Sequence, residues 1–295
     1  MVENETLEKP QSPVPMSLPE RNPNIDISVL LPVRARPIPM EQCLQTLINL
    51  AAKPERIEVL IAFDDDDTDT IDYFVDVIAP YLDSKGVTYS AMQFKRLGYL
   101  RLNEYLNELA NHSTGQWIFF WNDDAVMTTQ SWDDMIRQYN DQFALLRAET
   151  NHDHPYAIFP ILPRKWVEIT GHISPHQIND AWTSQIGWML DIVITIPVMI
   201  EHERFDLTGK NGDDVFKNRP MLEGNPEHPR DFNHHSWRKI RMEEAMKIAN
   251  YLIPMGFDAT HFRLGIENKI DIWAKMLKLD TKGLMKSWSS IELDK

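Results

Sequence analysis

The sequence predicts an α/β protein: a mostly parallel, Rossmann-like sheet flanked by helices, followed by a C-terminal helical extension. Three observations predict it. From residue 25 short, β-branched apolar segments alternate with amphipathic ones, the order of strands joined by crossover helices. The apolar segments are continuous and do not alternate in polarity, so each strand is buried on both faces. Two of them end abruptly in acids, "FDDDDTD" from Phe63 and "WNDD" from Trp121, and open α/β sheets bind ligands beyond the carboxyl ends of their strands.

Each element has its own reason. "IDISVLLPV" (25–33) reads as a buried strand stopped by Pro32. "MEQCLQTLINLAA" (40–52) puts Leu44, Leu47, Ile48 and Ala51 on one helical face. "RIEVLIAF" (56–63) is a second strand, after which Thr68 or Asp69 caps a helix carrying Ile71, Phe74, Val75, Ile78 and Leu82 in register. "VTYSAMQF" (87–94) is a third strand, and "LRLNEYLNELA" (100–110) a helix with Leu102, Tyr105, Leu106 and Leu109 inward. "WIFFW" (117–121) is the fourth strand, and Trp132, Met135, Ile136, Tyr139 and Phe143 mark the next helix. After about residue 150 the alternation loosens. "YAIFPI" (156–161) and "IVITIPVMI" (192–200) read as further strands, with a His- and Trp-rich segment between them. Met242, Ala245, Met246, Ala249 and Ile253 form a helical packing stripe, and Ile266, Ile270, Trp273 and Leu277 another.

Composition narrows the class. With 295 residues, 43% of them hydrophobic, the chain can bury one large core. No stretch approaches the ~20 apolar residues of a membrane span. The first 24 residues are polar, hold five prolines and lack the apolar core of a signal peptide, so they are expected to lack fixed structure. Cys43 is the single cysteine, which rules out an internal disulfide and suits a reducing cytoplasm. In its amphipathic setting it reads as a small buried apolar residue. A net charge of −14 disfavours broad phosphate-backbone binding. One local basic and aromatic stretch, "HHSWRKIR" (234–241), could meet phosphate or simply form a helix's wet face.

The acidic clusters carry the chemistry. Asp64 to Asp67 repel one another unless a cation, a helix dipole or donors offset their charge; a solvated helix start is the plainer alternative. Asn122, Asp123 and Asp124 offer the partial oxygen shell that Mg²⁺ or Mn²⁺ completes with water and substrate phosphates. A helix-capping loop would look the same. There is no Gly-x-x-x-x-Gly-Lys-Ser/Thr phosphate loop to support phosphoryl transfer.

Residues 25–136 resemble the nucleotide-sugar half of GT-A glycosyltransferases, in particular the family-two group. "ISVLLPVRAR" is similar to that family's first strand and polar turn. In "VLIAFDDDDTD", Asp64, Asp65, Thr68 and Asp69 coincide with the Asp-Asp-Gly-Ser-Thr-Asp signature, while Asp66 and Asp67 replace its Gly and Ser. Gly98, Arg101, Asn103 and Gly115 take their expected places before the "WIFFWNDD" acidic motif. The resemblance implies a metal-dependent transfer of sugar from a nucleoside-diphosphate sugar, UDP-linked by preference, to an acceptor hydroxyl with inversion. It implies that Pro32 and Arg34 line the nucleotide pocket, that Asp64 or Asp65 contacts base or ribose, that Gly98 belongs to the donor site, and that Arg101 faces the diphosphate or holds the loop, an exposed surface Arg being the plainer alternative. The family's Asp-x-Asp falls on Asn122-x-Asp124, which makes Asp124 the metal ligand, Asp123 its assistant or a ribose contact, and Asn122 a weak, uncharged partner. A late histidine, His202, would complete the shell for Mn²⁺ or Mg²⁺. The base is expected at Asp180 or Asp191, with Asp191 favoured for its apolar surroundings; Trp182 and Trp188 flank that pocket. His172 and His176 are weaker ligand candidates.

These readings divide the chain into a disordered tail (1–24), a GT-A domain (25–218, with a nucleotide-sugar half at 25–136 and an acceptor half at 137–218) and a helical extension (219–295). The acceptor stays open between a glycan, a protein side chain and a hydroxylated nucleic-acid base. A sugar-nucleotide binder without catalysis is the reading from another class.

Overall fold

The computed structural model describes residues 18–152, 154, 156–203 and 230–258. The stripe at Ile266–Leu277, most of the N-terminal tail and the expected boundary at 218/219 lie outside the described residues.

An eight-stranded sheet organises the chain, in the order β3-β2-β1-β4-β7-β6-β8-β5. Its strands are β1 (Ile27–Val33), β2 (Ile57–Asp64), β3 (Thr88–Phe94), β4 (Trp117–Phe120), β5 (Ala125–Met127), β6 (Leu145–Thr150), β7 (Pro160–Pro163) and β8 (Val193–His202). The first four are parallel, and β6 pairs parallel with β8. The pairs β4–β7, β6–β7 and β5–β8 are antiparallel. The expected mostly parallel, GT-A sheet is therefore present.

Continuous apolar strands divide their side chains between two cores. On one face β1 and β2 meet α1 (Pro37–Asn49), α2 (Thr68–Tyr73), α3 (Ala79–Ser84) and α5 (Trp132–Arg137). On the other lie α4 (Leu102–His112), α6 (Arg164–Thr170), α7 (Asn179–Met189) and α8 (His235–Leu252). Ile27, Val29 and Leu31 point to the first core, whereas Leu30 points to the second, the period-two alternation of a strand. Cys43 is buried in the first core, as its setting predicted, and burial pushes its thiol well up.

Three elements depart from the sequence reading. Residues 138–143 do not prolong α5; the chain turns and enters β6. The segment after Ile178 is a helix, α7, buried nearly all round, so it shows no amphipathic period to betray it. The strand expected at 156–161 begins only at Pro160. In β8, Pro197 supplies no N–H, and the ladder slips there: Ala148 pairs with Ile196 but Glu149 with Met199.

Candidate active site

Strand order places the site. The chain leaves β1 toward β2 on one side and returns to β4 on the other, so the crevice between the β1 and β4 ends is a topological switch point. Three turns meet there: residues 34–36 after β1, 64–67 at the end of β2, and 122–124 after β4. Strand spacing puts the β2 and β4 ends ~10 Å apart across β1. The two acidic clusters therefore share one edge.

The four aspartates after β2 have different surroundings. Asp64 is buried; its Oδ2 accepts from Arg34 Nη1 at 2.6 Å, and its Oδ1 accepts from the Tyr105 hydroxyl. The same Tyr105 oxygen accepts from the Leu97 N–H at 2.8 Å. Asp66 receives both Arg34 terminal nitrogens, at 2.5 and 3.1 Å. Asp67 is buried and accepts from the Ala35 N–H at 2.6 Å and the Thr70 hydroxyl at 2.8 Å. Ala35 sits at φ 52, a left-handed conformation that a non-glycine residue holds only when its neighbours enforce it. Asp65 is exposed, and among the described residues its one hydrogen bond runs from its own N–H to the Phe94 carbonyl, at 2.7 Å. Three carboxylates are thus committed to the protein, and Asp65 is left facing solvent.

Mutual repulsion is met by cations rather than by water alone. Hydrogen bonds that Arg34 donates to Asp66, then to Asp64, raise its pKa above its ordinary value despite partial burial. Arg36, at the start of α1, holds Asp123 Oδ1 at 2.6 Å. One short turn, Arg34 to Arg36, consequently ties the β2 cluster to the β4 cluster.

Asp124 has a distinct environment. β5 pairs antiparallel with β8, setting Ala125 opposite His202, and His202 Nε2 lies 3.2 Å from Asp124 Oδ1. That oxygen is buried, and the His202 contact does not have hydrogen-bond geometry. Burial raises the Asp124 pKa, but His202 and then Arg36 more than offset it, leaving the carboxyl below its usual range. The His202 ring packs edge-on against Phe159, and its backbone is fixed by Asn151 Oδ1 and His152 Nε2. Asn122 is exposed, and only its carbonyl is engaged, by Ala125 N–H.

A buried carboxylate oxygen facing an imidazole nitrogen fits a divalent cation of the Mn²⁺ kind. Among the described residues no group of three or more His, Cys, Asp and Glu is poised for a metal. A two-residue protein shell leaves the remaining positions to water and phosphate oxygens, as hard cations at nucleotide sites require.

Other expected site residues fall in different places. Pro32 is half-buried near the end of β1. Gly98 takes φ 73 and caps the short turn before α4. Arg101 is exposed and paired with Glu104 at 2.5 Å, so it braces the first turn of α4. Asp180 lies half-buried in the first turn of α7. A three-residue turn joins the other end of α7 to β8, so the helix runs back from the far edge of the sheet and carries Asp180 toward the site edge.

Asp191 does not join the site. It occupies that far turn, exposed and with φ 57, and the ten residues of β8 separate it from His202, ~30 Å at strand rise. Its apolar neighbours in sequence belong to the strand and helix it connects. His172 and His176 are packing residues. His172 Nε2 lies 2.6 Å from the buried Glu244, and burial lowers the His176 pKa to about 4. In the basic stretch at 234–241, Arg241 is fully buried against the rings of Trp182 and Phe232, whereas His235 and Lys239 are exposed. Arg36 and Tyr105 were not singled out from sequence; Tyr105 registered only as one more apolar position of α4.

Comparison with known proteins bears on the fold and on residues 28–165. Residues 28–165 match the family model described as glycosyl transferase family 2, a span that contains both acidic turns. No curated protein sequence matches. Among solved structures, mannosyltransferase PcManGT from Pyrobaculum calidifontis in complex with GDP-Man and Mn²⁺ is similar at TM-score 0.51 and 14% identity, covering 94% of this chain and 91% of that one. S. aureus TarS 1–349 in complex with UDP-GlcNAc gives TM-score 0.52 and 11% identity over 77% of this chain and 67% of that one. Another TarS 1–349 structure is covered over only 60% of its length, and a further TarS structure over 36%. These solved structures share the fold of this chain, and the stretch matched by the family-two model is the part that holds the crevice. Among the described residues no helix is long and apolar enough to cross a membrane.

Proposed function

We propose that this chain transfers a sugar from a nucleoside diphosphate, UDP by preference, to an acceptor hydroxyl with inversion at the anomeric carbon. The observation that carries the metal-dependent part is the buried Asp124 oxygen, without a hydrogen bond and 3.2 Å from His202 Nε2, at the switch-point crevice. Asp124 and His202 would hold Mn²⁺ or Mg²⁺, which neutralises charge on a departing diphosphate. Asn122 adds no charge to that pair, so cation affinity rests largely on the donor's own phosphates. Asp65 binds base or ribose hydroxyls, since its carboxylate faces solvent beside the crevice. Arg34 and Asp64 form the floor beneath it.

Asp180 is the base. As the acceptor oxygen bonds the anomeric carbon, the Asp180 carboxylate takes its proton, and the bond from that carbon to the phosphate oxygen breaks. Attack on the face opposite the leaving group inverts the centre.

The test combines binding and turnover. UDP-GlcNAc and GDP-mannose are each added with and without Mn²⁺, and melting temperature and release of nucleoside diphosphate are recorded. One donor should raise the melting temperature only with the cation. Asp124→Ala should abolish that gain and the release while keeping wild-type circular dichroism. Equal stabilisation of wild type and Asp124→Ala would refute the metal assignment. Binding without turnover under every condition would favour a non-catalytic sugar-nucleotide binder.

A further inference from the structure

Helix α4 touches both halves of the crevice. On one side its Tyr105 hydroxyl holds Asp64, below the nucleotide position. On another side, half a turn further on, Asn107 makes three bonds to the segment that leads into α7. Its Nδ2 donates to the Ser174 carbonyl at 2.8 Å, and its Oδ1 accepts from Ile173 N–H at 2.9 Å and Ser174 N–H at 3.3 Å. That segment has no helix or strand of its own between Gly171 and Ile178. Its backbone groups must therefore find partners elsewhere, and one side-chain amide supplies three of them.

From Ser174 the bonding continues toward the proposed base. Ser174 Oγ accepts from His176 N–H at 3.0 Å and donates to the His176 carbonyl at 2.7 Å. His176 Nδ1 accepts from Ile178 N–H at 3.2 Å. Ile178 is the N-cap of α7, and Asp180 lies in its first turn. An unbroken series of contacts runs from α4 to the turn that carries Asp180.

We propose that Asn107 is a positioning residue: it fixes residues 173–178, and through them Asp180, against the same helix that holds Asp64. This rests on the reading of Asp180 as base and Asp64 as part of the donor pocket. Asparagine is suited to the task because its planar amide both donates and accepts. Aspartate keeps the acceptor for two N–H groups but offers the Ser174 carbonyl no donor; alanine keeps nothing.

The test uses the full chain and water as the acceptor. Release of nucleoside diphosphate from UDP-GlcNAc or GDP-mannose with Mn²⁺ is followed for wild type, Asn107→Ala and Asn107→Asp. Asn107→Ala should keep the donor KM within about twofold while kcat falls about ten- to a hundredfold, the scale of a small misplacement of a catalytic group. Asn107→Asp should fall between. Hydrogen exchange should rise at Ile173 and Ser174 in the alanine variant, with the amides of β2 and Leu97 protected as before. An unchanged kcat, or kcat and donor KM moving together in step with lost stability, would overturn the inference alone. Wild type inert toward both donors would overturn the functional reading, and the exchange data would then decide only the Asn107 contacts.

Discussion

Replacing Tyr105 by phenylalanine isolates one oxygen atom. The ring would keep its burial and its edge-on contact with Phe94, at 5.2 Å, so apolar packing is unchanged. Two bonds vanish: the donation to buried Asp64 and the acceptance from Leu97 N–H. The first is charge-assisted and worth roughly 1.5–3 kcal/mol, the second about 1 kcal/mol, giving about 3 kcal/mol in all. The hydroxyl's own ionisation gives a second, pH-dependent readout. Burial, then the bond to Asp64, pushes it from 10.0 up to about 12, a difference of roughly 3 kcal/mol. Its sign is definite. A raised folded-state value means the contribution is whole below pH 10 and is lost as pH climbs toward 12. Urea unfolding at pH 7.5 should therefore show Tyr105→Phe less stable by about 3 kcal/mol at equal m-value. Between pH 10 and 12 the gap between the two proteins should close. Stability within about 0.5 kcal/mol of wild type, half the scale of a single hydrogen bond, would show that the Asp64 bond contributes nothing. A gap that persists to pH 12 would refute the ionisation argument.

His176, lowered from 6.5 to about 4 chiefly by burial, binds its proton more readily unfolded than folded. Stability should decline as pH falls from 6.5 to 4, by about 3 kcal/mol in total, and His176→Gln should flatten that decline in urea midpoints measured across the window. Gly115 lies against β1, where an added Cβ would stand 2.6 Å from Ser28 Oγ and 2.9 Å from Ser28 N. Backbone cannot yield there, so Gly115→Ala should lower stability by about 2–3 kcal/mol and reduce soluble yield, whereas an unchanged melting temperature would show that β1 and β4 can part. Asp67→Ala removes the acceptor that holds Ala35 N–H. It should raise the donor KM several-fold and cost about 1–2 kcal/mol, and adding Ala35→Gly, which tolerates φ 52 freely, should recover part of the stability but not the Asp67 bonds.

β1, β2 and β4 were legible because each is a continuous buried apolar run, whereas β3, with its exposed and half-buried side chains, was read from its β-branched and aromatic residues. The acceptor half was harder to read for a physical reason. Helix α7 is enclosed by β6, β7, β8 and α8, so Ala181, Trp182, Ile186 and their polar neighbours Thr183, Ser184 and Gln185 are all buried, and periodicity disappears. β5 is three residues long, too short for any period, yet its pairing with β8 is what brings His202 to Asp124. Asp191 misled because apolar neighbours in sequence were taken for an apolar environment. Its flanking residues turn into α7 and β8, and its own side chain is exposed.

The acidic excess of this chain is not a uniform negative field at the crevice. Each departure from the family-two signature has a partner: Asp66 takes Arg34, and Asp67 takes the N–H of a left-handed Ala35. A glycine and a serine at those positions would provide neither carboxylate, so the two added acids and the unusual backbone at Ala35 are best understood as one arrangement. That arrangement also sets Arg36, two residues beyond Arg34, against Asp123. Once these pairs are formed, the carboxylates still available at the edge are Asp65, which faces solvent, and Asp124, whose buried oxygen meets only an imidazole nitrogen at 3.2 Å without hydrogen-bond geometry. One suits hydroxyls and the other a cation. That division of labour is what the proposed nucleotide-sugar site requires and a plain acidic loop lacks, and it follows from which carboxylates the protein has already engaged rather than from how many the sequence contains.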